Sequence, residues 1–368
     1  MRKRYVMVFT LWFMLFMSGL FLDENALACT EAVEINQVQA LEGGVTTDDS
    51  PRFPVRINES GNYVLTSNLT VPENTDGIQI HAHDVSLNLN GFTISGRQGD
   101  AGCGMTSEFQ RDTGTYEYDR ITVHNGVVER FADDGINLGV QSVVEHVHSK
   151  HNGKNGISVS SGSRVIGNTA YRNGWSGIDT GHSSIVSDNM SIYSGRCGID
   201  TEHSCTISGN KVRRNQSHGI QAQHSSTIID NTAYRNRQDG FFIGLDSILR
   251  GNIATQNEQV GIYATEGSVV SGNLASYNSV GIRASLCTVS GNTAHGNESN
   301  GFKIYETSTL IGNTAVRNYN FGIYFLPDKV SGYNNNVVSK NNEGNSYPQI
   351  KNGHAMGDNI CGTNTSCP

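Results

Sequence analysis

Between residues 135 and 322, a Gly followed by Ile or Phe returns at an almost constant interval. The pairs are Gly135-Ile136, Gly156-Ile157, Gly177-Ile178, Gly198-Ile199, Gly219-Ile220, Gly240-Phe241, Gly261-Ile262, Gly281-Ile282, Gly301-Phe302 and Gly322-Ile323, with six steps of 21, then 20, 20 and 21. Within each unit the apolar positions alternate with polar ones over short runs. One aliphatic column runs Val165, Val186, Ile207, Ile228, Leu249, Val270, Val289, Leu310. A column of mostly small residues runs Ala170, Ser191, Val212, Ala233, Ala254, Ala275, Ala294, Ala315. Alternation with period two, β-branched residues and Gly or Asn at the breaks predict about three short strands per unit and leave no room for ordinary helices.

A fixed period with an apolar anchor predicts a solenoid, in which like residues stack on like residues about 4.8 Å apart. Asn168, Asn189, Asn210, Asn231, Asn252, Asn273, Asn292 and Asn313 then form one Asn ladder at a bend. A second runs Asn152, Asn173, Asn215, Asn236, Asn257, Asn278, Asn297 and Asn318, interrupted by Ser194. A 21-residue coil does not divide into hexapeptides, and the crossover rule favours a right-handed path. The expectation is an all-β, right-handed parallel β-helix of about 21 residues per coil, with caps at both ends. The boundaries read as 1–28 signal peptide, 29–76 N-terminal cap, 77–326 coil and 327–368 C-terminal cap. Residues 97–120 form an inserted loop whose Arg111, Asp112, Tyr116, Glu117, Tyr118 and Asp119 would suit a sugar site.

The stretches "SGNYVLTSNLTV" at 60–71 and "VSLNLNGFTISG" at 85–96, followed by serial GN-T-A-x-x-N-x-x-x-GI units, resemble bacterial right-handed parallel β-helix repeat proteins over about 55–345. The resemblance implies the broad group of pectate lyases, alginate epimerases, galacturonases and NosD-like periplasmic proteins. It does not carry their catalytic residues. Of the galacturonase combination of several Asp, Gly-His-Gly and Arg-x-Lys, only the fragments "DDG" at 133–135 and "GHS" at 181–183 are present, in separate coils, and the third piece is not evident. "DTGH" and "DTEH" lack the Pro and the final Asp of the epimerase Asp-Pro-His-Asp.

The N-terminus reads as an export signal: Arg2, Lys3 and Arg4, an apolar run over 5–22, and Ala26-Leu27-Ala28 before Cys29. The mature chain is expected to be secreted or periplasmic without a transmembrane span. Lipid attachment at Cys29 is disfavoured because Ala26 stands where a lipobox has a Leu-like residue. Export permits disulfides. Cys361 with Cys367 is expected as a small staple, and Cys29 with Cys103 would join the early segments. Cys205 and Cys287 stand in a Ser column and read as small buried residues. A formal net charge of −8 lacks the basic face that nucleic-acid binding needs.

Function is sought where the repeat departs from itself. The position after each anchor reads Asn137, Ser158, Asp179, Asp200, Gln221, Phe242, Tyr263, Arg283, Lys303, Tyr324, and His182, His203 and His224 stand at the following bend. Asp179 and Asp200, one rung apart, would share a proton for acid–base work with His203. Alternatively they would ligate Ca2+ with Glu202, or the stacked imidazoles would hold a transition metal. His182, His224 and Glu202 would flank the substrate, and Phe242 and Tyr263 would stack on sugar rings. A second stripe gives Arg172, Arg214 and Arg235 as partners for substrate carboxylates. The leading expectation is an exported protein that binds, and cleaves or epimerises, an acidic polysaccharide. The alternatives are a non-enzymatic envelope scaffold and a NosD-like metal-handling protein.

Overall fold

The computed structural model describes residues 32–107, 109–110, 115–342 and 348–362. The expected signal peptide, Cys29, Cys367, Arg111 and Asp112 lie outside them, and the side chain of Tyr116 is not described. The chain is a right-handed parallel β-solenoid whose coils each contribute three short strands. In the coil that starts at Gly177 these are Ile178–Thr180 on the first face, Ile185–Ser187 on the second and Met190–Ile192 on the third. Among the described residues the first face is a single parallel ladder of 14 strands. Its register is strict: Ile178 pairs with Ile199, Asp179 with Asp200, and Thr180 with Thr201. The inward columns are those expected from the sequence, and Ile178, Ile199, Ile220 and Phe241 are fully buried.

The Gly anchor has a steric cause. A Cβ on Gly219 would lie 2.5 Å from the carbonyl oxygen of Gly240 and 2.7 Å from the Asn236 amide nitrogen. The chain must therefore be bare where the first face begins, because the next coil and the second Asn ladder pass directly beneath. The ladders themselves are built as expected. Asn210 donates from Nδ2 to Asn231 Oδ1 at 2.9 Å, and Asn231 does the same to Asn252 at 3.0 Å. In the second ladder Ser194 stands in for Asn and packs its hydroxyl 3.2 Å from that of Ser191, the coil where the small column also carries Ser.

The stack extends past both expected boundaries of the coil. Val55–Ile57 already pairs with Ile78–Ile80, and Ile350–Lys351 still pairs with Ile323–Phe325. Val55–Ile57 and Ile350–Lys351 lack the Gly anchor, so the period alone does not reveal them. A short helix, Gln37–Glu42, precedes them, with the Asn36 side chain capping the Val38 and Gln39 amides. Cys205 and Cys287 are free and buried, as their Ser column implied. Cys103 is also a free thiol, so it does not join Cys29. Cys361 is disulfide-bonded, with its partner outside the described residues. No helix among the described residues is long and apolar enough to cross a membrane.

Candidate functional site

The outer row of the first face places Asp179 beside Asp200, with Ser158 on one side and Gln221, Phe242 and Tyr263 on the other. Burial, reinforced by the charge of Glu202, pushes the Asp179 carboxyl up to about 6, while Arg196 opposes the rise. Burial followed by the charge of Asp179 pushes Asp200 up to about 7. The two titrate as a pair near neutrality, which suits proton transfer. A shallow depression of about 210 Å³, lined by Ser158, Ser160, Ser161, Asp179, Gly181 and Glu202, opens beside them.

His182, His203 and His224 do stand one above another, but as a stack. Ring centroids are 5.0 and 4.9 Å apart, with planes 6° and 25° from parallel. Nδ1 of His182 accepts from the His203 amide at 3.3 Å, and Nδ1 of His224 accepts from the Leu245 amide at 3.0 Å. Nε2 of His182 meets Glu202 at 2.8 Å. Parallel rings direct their in-plane lone pairs side by side, so the imidazoles do not converge on one point. Among the described residues no group of three or more His, Cys, Asp or Glu side chains is arranged to hold a metal ion.

Phe242 and Tyr263 continue the row as an edge-to-face pair 5.3 Å apart, and the Arg283 guanidinium lies 5.1 Å from the Tyr263 ring. Arg172, Arg214 and Arg235 stand elsewhere, at the corner where the third face ends. Their φ angles are 53°, 57° and 54°, in the left-handed region. Arg172 stacks on Tyr171 at 5.1 Å, Arg235 on Tyr234 at 4.9 Å, and Arg214 bonds the Tyr193 hydroxyl. The acidic row and the Arg corner are thus opposite ends of one connector, not one cluster.

That connector, which leads from the third face to the first, holds groups that sequence reasoning missed. Its last position carries Asp134, Asn155, Ser176, Cys197, His218 and Asp239 on successive coils. Burial raises Asp134 to about 6, against a 2.7 Å hydrogen bond from the Asn155 amide. Burial lowers His218 to about 4, and its ring stacks on Phe242 at 4.8 Å. Cys197 is pushed up to about 12, chiefly by burial, and is therefore an inert thiol. Gly153, Gly174 and Gly195 hold the connector close: a Cβ on Gly174 would stand 2.0 Å from the Gly153 carbonyl oxygen. Gly174→Ala is expected to destabilise the chain by about 2 kcal/mol through overpacking. Denaturant unfolding beside Gly162→Ala, where the nearest neighbour would be 3.5 Å away, checks this against the cost of a positive φ alone.

The inserted loop does not cover the acidic row with its described residues. Tyr118 stacks on His81 at 5.8 Å, and Arg120 bonds Asp84 at 2.7 Å, both on an earlier coil. Phe109–Gln110 and Thr115–Tyr116 pair as an antiparallel hairpin.

Residues 197–342 match the family described as a right-handed beta helix region, and residues 118–269 match NosD, described as a periplasmic copper-binding protein. No curated protein matches the chain in sequence. Solved structures with a similar path include the periplasmic alginate epimerase AlgG, at 13% identity and TM-score 0.45, covering 90% of this chain and 84% of that one. The Azotobacter vinelandii mannuronan C-5 epimerase AlgE6 A-module is 14% identical at TM-score 0.49, covering 82% and 87%. The Dettilon tailspike protein is 15% identical at TM-score 0.42, covering 82% and 59%.

Proposed function

We propose that this chain, a right-handed parallel β-helix repeat protein, is exported and binds an acidic polysaccharide along the outer row of its first face, with proton transfer at Asp179 and Asp200. One observation carries the reading. A single register row runs from two carboxyls held near neutrality, past Phe242 and Tyr263, to Arg283 and Lys303. Rungs are about 4.8 Å apart, close to the rise of one pyranose along an extended chain. Aromatic rings would take sugar faces and the cations would take carboxylates. Near pH 7 the pair is still partly protonated, which lessens repulsion of an anionic chain and supplies an acid beside a base. The open row suits internal segments of a polymer better than chain ends.

The test is a panel of uronate and neutral polysaccharides, followed for binding by calorimetry, for unsaturated ends by ultraviolet absorbance, for reducing ends by colorimetry and for C5 inversion by NMR, with calcium and with chelator. Binding confined to uronates, weakened at least tenfold by Tyr263→Ala, is the expected result. Binding without any chemical change would leave a scaffold, and binding to none would remove the reading. The match to the NosD description favours a second reading, copper handling. Stacked imidazoles, with Nδ1 of His182 and of His224 already accepting backbone amides, make it the weaker one, and a Cu(II) titration of the chain beside His203→Ala decides it.

A further inference from the structure

Lys154, Trp175 and Arg196 occupy one connector position on three consecutive coils, beside the column that runs from Asp134 to Asp239. Backbone bonds keep them in step: the Trp175 amide donates to Lys154 at 2.9 Å, and the Arg196 amide donates to Trp175 at 3.1 Å. The Arg196 guanidinium lies 4.3 Å from the Trp175 ring centroid, and the Lys154 ammonium lies 5.5 Å from it. Because the two cations come from the coils before and after, the indole is held between them. Sugar cannot stack on a face so occupied, so Trp175 is a splint and not a platform. Lys154 is already paired with Asp133 at 2.6 Å. Arg196 instead is fixed by the ring and acts through space on both Asp179 and Asp200.

A guanidinium held over an aromatic ring can still present its N–H edge to a planar, two-toothed partner, which a carboxylate is and a hydroxyl is not. We propose that Arg196, splinted by Trp175, binds the carboxylate of one uronate unit, seats that unit against Asp179 and Asp200, and makes the site select uronates over neutral sugars. This rests on the polysaccharide reading above. Neighbouring coils place Ser217 and Gln238 at the same position, so the selectivity is confined to one sugar unit of the bound chain. Arg196 is here a binding residue and Trp175 a positioning residue.

The chain has two tryptophans, Trp12 and Trp175. In a Trp12→Phe background, Trp175 emission therefore reports this spot alone. The probes are oligogalacturonate, oligomannuronate, a neutral cello-oligosaccharide of equal length and dextran sulfate. Uronates are expected to change the emission saturably, with the midpoint that calorimetry gives, while the neutral oligomer changes nothing. Arg196→Met is expected to weaken uronate binding at least tenfold, and Arg196→Lys, which keeps charge but loses the fork, to recover only part. Trp175→Leu is expected to pull the uronate-to-neutral ratio toward one with the thermal midpoint unchanged. Uronate binding by calorimetry with silent Trp175 emission and undiminished affinity in Arg196→Met overturns the inference and leaves the polysaccharide reading standing. An equal response to dextran sulfate overturns carboxylate selection. If the unaltered chain binds no uronate, the reading beneath falls, and the inference falls with it.

Discussion

Replacing Asn231 by Ala is expected to destabilise the solenoid by about 3–5 kcal/mol. Its Oδ1 accepts from the Asn210 backbone amide and side-chain amide, both at 2.9 Å. Its Nδ2 donates to the carbonyls of Ile207 and Ile229 and to Asn252 Oδ1. The residue is fully buried, so water cannot replace these partners. A buried group left without a partner costs about 1–3 kcal/mol, and each further hydrogen bond lost about 1 kcal/mol: the Asn210 backbone amide above loses its acceptor, the Ile207 carbonyl loses a donor, and Asn252 Oδ1 below keeps only the Asn231 backbone amide. Because each coil touches only its neighbours, the damage is local and unfolding can split into steps. The measurement is therefore denaturant unfolding paired with limited proteolysis, with cleavage expected near residues 207–252. An unfolding midpoint within error of the parent, with no new cleavage, would mean the ladder is ornament and the apolar columns alone hold the coils. Asn231→Asp keeps the acceptor but not the donor, and is expected to be equally damaging at neutral pH.

A repeat converts spacing into contact. That is why the inward columns, both Asn ladders and the pairing of Asp179 with Asp200 were legible: residues 21 apart had to stack. What the sequence did not show is what stacking alone does not determine. Side-chain torsions decide whether three stacked imidazoles converge or lie parallel, and His182, His203 and His224 lie parallel. The direction of the inserted loop depends on packing against His81 and Asp84, which no column predicts. Arg172, Arg214 and Arg235 read as an outward face, yet they occupy left-handed corner positions and spend their guanidinium faces on tyrosines. The connector was missed because its columns are not uniform: Lys, Trp and Arg at one position look like drift. The signal was there in Gly153, Gly174 and Gly195, three bare positions next to one lone tryptophan, marking the coils where the connector is drawn in.

Asp200→Asn is expected to move stability and turnover in opposite directions. In the folded chain the Asp200 carboxyl lies at about 7, against an ordinary 3.8, and Asp179 lies at about 6. Between those limits the folded chain holds protons that the unfolded chain has released. The stability contributed by this pair is thus complete below pH about 4 and is lost as pH rises through the folded values of about 6 and about 7. Each tenfold difference in proton affinity between the folded and unfolded chain is worth about 1.4 kcal/mol, so the parent is expected to lose a few kcal/mol across that window. An Asn of the same shape never charges. The variant should match the parent near pH 4 and exceed it by about 2 kcal/mol at pH 8, read as unfolding midpoints at both pH values. On a polymer that the panel shows to be turned over, the same change should lower the rate by about 10²–10⁴, the usual share of a positioned acid or base. The opposite signs carry the argument. A carboxyl with only a structural part in the first face would weaken the chain when altered and leave no strain to release. A carboxyl kept at the cost of stability, one rung from its twin and beside Arg196, is one whose chemistry the chain retains for use. Should Asp200→Asn be less stable than the parent at both pH values, the pair is a structural rung of the first face, and the acid–base assignment falls.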